Sequence, residues 1–246
     1  MTPPRPAYFH HMNWTMLVLV FLGFAPSFYL KPLVAEQPFY PNGLPVPYIV
    51  HGIILTVWYV FMVVQTTLIK NKKIATHRKL GWFGAAWAVL VVLSTVYAVT
   101  IFPGRMVALA QQLNSTVDEV EPGLVFILWL DIFMCTLFVA FIIIAIIQRL
   151  KPDIHKRFIL YTGLVFIFAA SNRVAGTIAY LTDSSINLVL GPLILLVLTA
   201  SLLVHDYKTQ KRILPVSWWC FGLYWLAMIL SFVIAGTDFG KSILNI

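Results

Sequence analysis

Seven stretches of this chain are apolar over roughly the ~20 residues that a helix needs to cross a bilayer. They run over 14–31, 47–69, 80–102, 124–147, 158–181, 186–204 and 216–235. In hydrocarbon no water satisfies the backbone, so such stretches must be helices that bond internally. The chain is 60% hydrophobic and 11% charged, which leaves only short connections and no material for a soluble domain. The sequence therefore predicts an all-α polytopic membrane protein, a single transmembrane domain over 1–246. It would hold seven spans: one helix followed by three hairpins. The first stretch is read as a retained span, since it is long for a leader core and Pro26 disfavours cleavage after Ala25. Cys135 and Cys220 lie inside apolar stretches and read as small core residues.

A net charge of +8 raises the question of nucleic acid, and the distribution answers it. Thirteen of the 17 Lys and Arg fall in four places. These are Arg5, the turn from Lys70 to Lys79, the turn from Arg149 to Arg157, and Lys208, Lys211 and Arg212. All four precede the first span or follow spans two, four and six. The opposite loops carry Lys31, Arg105 and Lys241 against Glu36, Asp118, Glu119, Glu121, Asp183 and Asp238. Lys and Arg gather on the cytoplasmic side of membrane proteins, so the N-terminus is expected inside and the C-terminus outside. The basic turns set topology and are also suited to anionic lipid headgroups. On the outer side, Phe39 and Tyr40 suit the membrane interface, and Ser115 is placed to cap a short helix near Asp118.

Two of the basic turns are the same motif. Ile69 to Leu80 aligns without a gap on Ile147 to Phe158, at an offset of 78 residues. Lys73 falls on Lys151, His77 on His155, and each histidine is followed by two basic residues. The pattern reads as an internal repeat of hairpins, which relates helix pairs by an axis along the membrane normal. Gln210 to Ile213 is a weaker third echo.

The polar residues inside the apolar stretches form two groups. In the group assigned to the outer half, His51, Trp58 and Gln65 are seven apart and share one stripe of a helix that starts at His51 near the outer surface and reaches Gln65 toward the inner side. Asp131 and Arg173 are ionisable residues deep in spans, where a charge needs a partner and faces the bundle interior. They lie equally far from the turn between spans four and five, so an ion pair is expected, with Asn172 beside it. Tyr97 is level with His51, and these side chains would ring one outer cavity if the two hairpins pack face to face. The bland alternative is an interfacial histidine, an interhelical glutamine and a structural salt bridge. The inner group is His77, Arg78, His155, Arg157, His205 and Asp206, with His10 and His11 on the same side. His77 and His155 stand at helix N-termini, where free N–H groups and added basic charge favour an anion. Phosphate, a lipid headgroup, a quinone carbonyl or haem propionates would all suit it. Solvated histidines among topology charges are the plain alternative.

Several classes of chemistry lack their spacing. No His-Glu-x-x-His, phosphate-binding loop, dinucleotide glycine motif or Ser-His-Asp arrangement is present, and no metal site is assigned. Haem held by His77 and His155 across a pseudo-twofold axis stays possible.

The assembled residues resemble a group of multi-pass bacterial inner-membrane proteins. The pattern runs through His51-Gly52, Trp58, Gln65, His77-Arg78-Lys79-Leu80-Gly81, His155-Lys156-Arg157, Asp206 and Arg212 to Pro215. The resemblance attaches no activity and implies only that these polar residues act together. In architecture the chain also looks like small histidine-bearing membrane proteins that help mature respiratory oxidases. The expectation is an accessory inner-membrane protein, leaning away from an enzyme, that binds a quinone, lipid or haem. Respiratory-chain proteins are its possible partners, and nucleic acid is not one. A transporter or proton pathway, and a haem- or metal-dependent redox enzyme, are the rival classes.

Overall fold

The computed structural model describes residues 8–30, 44–104 and 117–242, with side chains excepted at 117–122. Arg5, Lys31, Glu36, Phe39, Tyr40, Arg105, Ser115 and the side chains of Asp118, Glu119 and Glu121 lie outside that description. Every long element is a helix. They are α1 (Tyr8–Phe24), α2 (Val46–Lys70), α3 (Ile74–Thr100), α4 (Val117–Ile147), α5 (Pro152–Leu164), α6 (Ile167–Leu181), α7 (Asn187–Gln210), α8 (Pro215–Ala235) and the short α9 (Asp238–Ser242). Six stretches are long and apolar enough to cross a membrane, and a seventh appears if α5 and α6 count as one bent span. That is the build of an integral membrane protein.

Helix starts follow local chemistry. Pro152 and Pro215 each stand in the first turn of their helix, where a missing N–H is not needed. The inner turns are tight, and Lys72 and Lys211 adopt left-handed backbone at φ 60° and 56° to close them. Helices overrun the apolar stretches at their inner ends, as α1 and α7 do, because polar residues continue a helix once it is nucleated.

Two irregularities depart from the expected cylinders. The end of α1 passes into a π-helical turn, Ala25–Tyr29, in which the Leu30 amide donates to the Ala25 carbonyl. Pro26 lacks an N–H, so the regular ladder cannot continue through it. Span five, expected to be continuous over 158–181, is broken between α5 and α6 with a 47° bend. At the break the Tyr59 hydroxyl of α2 donates to the Gly163 carbonyl at 2.8 Å. A side chain that satisfies a carbonyl in this way stabilises a kink.

The bend sets the topology of packing. The contacts α1 to α2, α2 to α3, α3 to α4, α4 to α8, α8 to α7, α7 to α6 and α6 to α1 close a ring. Inside it sits α5, which touches α1, α2, α4 and α8. Seven of its residues are buried, Arg157 and Thr162 among them. Beyond its first turn α5 is largely shielded by the ring, so it tolerates polar side chains that a ring helix would have to hide. Between membrane helices close approach replaces the hydrophobic driving force. A Cβ on Gly23 of α1 would lie 2.6 Å from the Ala170 carbonyl of α6, so glycine is what lets these two backbones touch.

Candidate functional site

The outer-half residues do not assemble into one cavity. His51 Nδ1 meets the Ser94 hydroxyl at 3.1 Å, a contact within the α2–α3 pair. Tyr97 is 55% exposed on the outside of α3. Asn172 packs against Gly191 of α7, where its carbonyl oxygen occupies the space a Cβ would need. The expected ion pair is not formed: Asp131 and Arg173 are absent from the salt bridges among the described residues. Arg173 instead donates to the Ser27 hydroxyl at 3.0 Å and lies 4.6 Å over the Phe24 ring. Equal depth put the two residues on one level. Azimuth separates them, because the bend turns α6 onto α1 while Asp131 stays on α4, within electrostatic reach of Tyr48. The π turn presents Ser27 to Arg173, and no sequence pattern announced it.

The inner group divides into two. The first part is a closed polar centre at the base of α5. The Arg157 guanidinium is fully buried and donates to both oxygens of Asp206, to the Ser217 hydroxyl at 3.1 Å and to the Asp153 carbonyl at 2.6 Å. Ser217 in turn donates to Asp206, and the Leu214 amide adds a fourth contact at 3.4 Å. Asp206 and Ser217 are fully buried too. A buried ion pair needs further hydrogen bonds to offset its desolvation, and here every nitrogen and oxygen of the pair has at least one partner. Three helices are tied at their inner ends: α5 by Arg157, α7 by Asp206 and α8 by Ser217. His205 joins by stacking on Tyr8 at 4.2 Å, and Phe9 covers Arg157 at 5.9 Å. Above this centre a second buried layer repeats on the same three helices. Tyr161 donates to the Thr199 carbonyl at 2.8 Å, and Tyr224 lies one helix over with its hydroxyl unpaired. Ser217, Asp153, Tyr8 and the tyrosine layer were not singled out in the sequence, since common residues at helical spacing carry no motif.

The second part is the repeated histidines. His155 Nδ1 lies 2.9 Å from the Ala145 carbonyl in the last turn of α4. A carbonyl only accepts, so Nδ1 carries the proton and the lone pair of the neutral ring sits on Nε2. His77 stands at the equivalent place, with its ring beside the Gln65 carbonyl of α2. His77 Nδ1 is buried and has no hydrogen-bond partner. Each histidine thus ties the second helix of a hairpin to the carbonyl end of the first. The backbone agrees: the amides of His77 and His155 donate to Lys73 and Lys151, both at 3.0 Å. Arg78 is exposed.

Several polar atoms on α1 and α2 are also buried without a hydrogen-bond partner. They include Gln65 Oε1 on α2, Asn13 Oδ1 on α1 and His10 Nδ1, with Trp58 Nε1 two turns higher on α2. Asn13 is oriented by its own amide, which donates to the Met62 carbonyl at 3.4 Å and to the Thr66 hydroxyl at 3.5 Å. Its oxygen is therefore the free end. Asn13 reaches α2 at Met62 and Thr66, which flank Gln65, and the His77 ring lies beside the Gln65 carbonyl, so the three residues stand near one level on α1, α2 and α3. Among the described residues no group of three or more His, Cys, Asp or Glu comes together to hold a metal ion. Comparison with protein-family models, with curated proteins and with solved structures finds no match. The functional reading therefore rests on the geometry alone.

Proposed function

We propose that this chain is an accessory protein of the bacterial inner membrane that binds a small lipophilic ligand in its inner half. It crosses the membrane seven times, counting α5 and α6 as one span, with the N-terminus cytoplasmic and the C-terminus outside. The unequal distribution of Lys and Arg supports that orientation. A membrane-impermeant maleimide tests it, because Cys135 and Cys220 are buried and silent. A cysteine at position 182 is labelled from outside and one at position 72 is not; the reverse pattern discards the topology.

One observation carries the ligand reading. Asn13 Oδ1, Gln65 Oε1 and His77 Nδ1 are three buried polar atoms on three helices without a hydrogen-bond partner, and the two amide oxygens can only accept. A buried polar atom left unpaired costs about 1–3 kcal/mol, so a bound donor is strongly favoured. A lipophilic ligand with hydroxyl groups, of the hydroquinone kind, supplies donors and suits the surrounding hydrocarbon. The oxidised quinone offers only carbonyl acceptors. A small anion is disfavoured for the same reason, and Arg157, which it would need, is already fully engaged. Thermal unfolding of the purified protein with duroquinol and with duroquinone tests this. The quinol raises the midpoint of the wild-type protein and not that of Gln65→Leu or His77→Leu. No shift with either compound, together with variants at least as stable as the wild type, overturns the proposal. A Soret band in the purified protein promotes the haem reading over it.

A transport or proton pathway is the second reading, and Trp58 Nε1 favours it. That donor is buried and unpaired between His51 and Gln65 on one stripe of α2. Proton flux into dye-loaded vesicles that is lost in Gln65→Leu would select this reading.

A further inference from the structure

A second site lies on the lipid-facing surface, apart from the acceptors around His77. Between the inner ends of α4, α5 and α8 runs a groove of about 410 Å³. Its walls are Ile144 and Gln148 from the end of α4, Ile154 and Phe158 from α5, and Val216 and Trp219 from α8. Gln148 is the single polar member of that wall. It stands at the inner mouth, because it directly follows the last residue of α4. Ile154 and Val216 are in the first turns of their helices, so the trough starts at the inner surface and rises into the apolar zone. Trp219, at 67% exposure, forms its outer lip. Tryptophan is enriched at this depth in membrane proteins.

The rim of the groove is basic. Arg149 and Lys151 follow Gln148 in the α4–α5 turn, and Lys211 and Arg212 precede Val216 in the α7–α8 turn; all four are exposed. Arg149 donates to the Ile146 carbonyl at 3.2 Å, which holds its guanidinium at the end of α4. The one acid in this part of the turn, Asp153, is matched by Lys156 at 2.7 Å and by Arg157. The rim therefore keeps an uncompensated positive charge directly over an apolar trough.

We propose that this groove seats an acyl chain of an anionic phospholipid whose phosphate lies at Arg149 and Arg212. The trough accepts the chain, the Gln148 amide supplies a neutral donor, and the guanidinium groups of the rim supply the positive charge that a phosphate takes. The α2–α3 turn, with Lys70, Lys72, Lys73, Arg78 and Lys79, is the internal control, since it carries at least as much charge.

Native mass spectrometry of the full chain, equilibrated with phosphatidylglycerol or phosphatidylcholine, tests the proposal. The wild-type protein retains one phosphatidylglycerol in preference to phosphatidylcholine. The Arg149→Gln/Arg212→Gln double variant loses that preference by roughly thirtyfold, as expected for two surface basic residues. Trp219→Ala weakens retention of both lipids, because it opens the trough without touching the rim. Lys72→Gln/Lys79→Gln leaves retention unchanged. All these positions are exposed, and unaltered unfolding midpoints establish that the variants fold. Equal retention of the two lipids by the wild-type protein overturns the proposal. So does an equal loss from the control pair, which would mean that charge alone attracts the lipid.

Discussion

Helices α3 and α5 begin with the same motif and end in different places. Their first residues, Ile74 and Pro152, are offset by the same 78 residues as the motif itself. Both place a histidine one turn in, and both histidines address a carbonyl of the preceding helix. From there they diverge. Helix α3 runs unbroken to Thr100 on the ring, with Trp82, Leu93 and Tyr97 exposed to lipid. Helix α5 stops at Leu164 in the centre of the bundle and turns by 47° into α6. The two basic residues after the histidine show why. Lys79 is exposed, whereas its counterpart Arg157 is fully buried on Asp206 and Ser217. One local code closes both hairpins. The partner for the second basic position decides which helix is drawn inside.

The largest effect is expected where the two helices differ most. Arg157→Gln strands the Asp206 charge in the interior and lowers stability by about 3–5 kcal/mol. Lys79→Gln, at the aligned position, changes it by no more than about 0.5 kcal/mol. Adding Asp206→Asn to Arg157→Gln recovers a part, because the stranded charge is then gone. Denaturant titration in detergent micelles measures all three variants against the wild type. Equal losses at 79 and 157 would end the distinction between ring and centre.

The break comes next. Tyr59→Phe removes the donor from the Gly163 carbonyl and lowers stability by about 1–3 kcal/mol. Tyr97→Phe, on the exposed face of α3, leaves it unchanged. If Tyr59→Phe is silent, the bend does not depend on that hydroxyl.

A pair of glycines sharpens the same contrast. In α3, nothing lies within 4 Å of a Cβ built on Gly81, so Gly81→Ala adds helix propensity worth up to about 1 kcal/mol. In α5, a Cβ on Gly163 would lie 2.9 Å from Met16 Cε and 3.0 Å from Met62 Sδ. Gly163→Ala therefore overpacks the centre and costs about 1–3 kcal/mol, toward the lower end because methionine side chains shift. Opposite signs in one unfolding assay support the placement of the two helices. A gain at both positions contradicts it.

These contrasts also mark what the sequence made legible. Hydropathy alone gave the helical class and the approximate spans, because the bilayer imposes one length on every crossing. The matching places of His77 and His155, each one turn into its helix, followed from the aligned basic turns. Arg157, Asp206 and their shared depth were readable as well. What stayed hidden depends on azimuth and on neighbours. Depth along the chain placed Asp131 level with Arg173, and no periodicity revealed that a bend would turn Arg173 toward Ser27. Tyr59 looked like any interior aromatic until Gly163 appeared opposite its hydroxyl. Asn13 was one polar residue in an apolar stretch, and only packing shows that its oxygen faces no donor.

The smallest effect tests what α3 and α5 share. If the histidines are equivalent ties, His77→Ala and His155→Ala each remove one ring N–H to carbonyl bond, and each lowers stability by about 0.5–1.5 kcal/mol. The two losses should then agree within error in the same titration, as expected of hairpins descended from one unit. Asymmetry has a definite meaning in each direction. The His155 bond to Ala145 is well formed at 2.9 Å, whereas His77 also buries an unpaired Nδ1. A clear loss at His155 with a gain at His77 would show that the unpaired nitrogen outweighs the tie in the empty protein. The His77 position would then be held for its ligand, and saturating duroquinol should restore the wild-type advantage over His77→Ala.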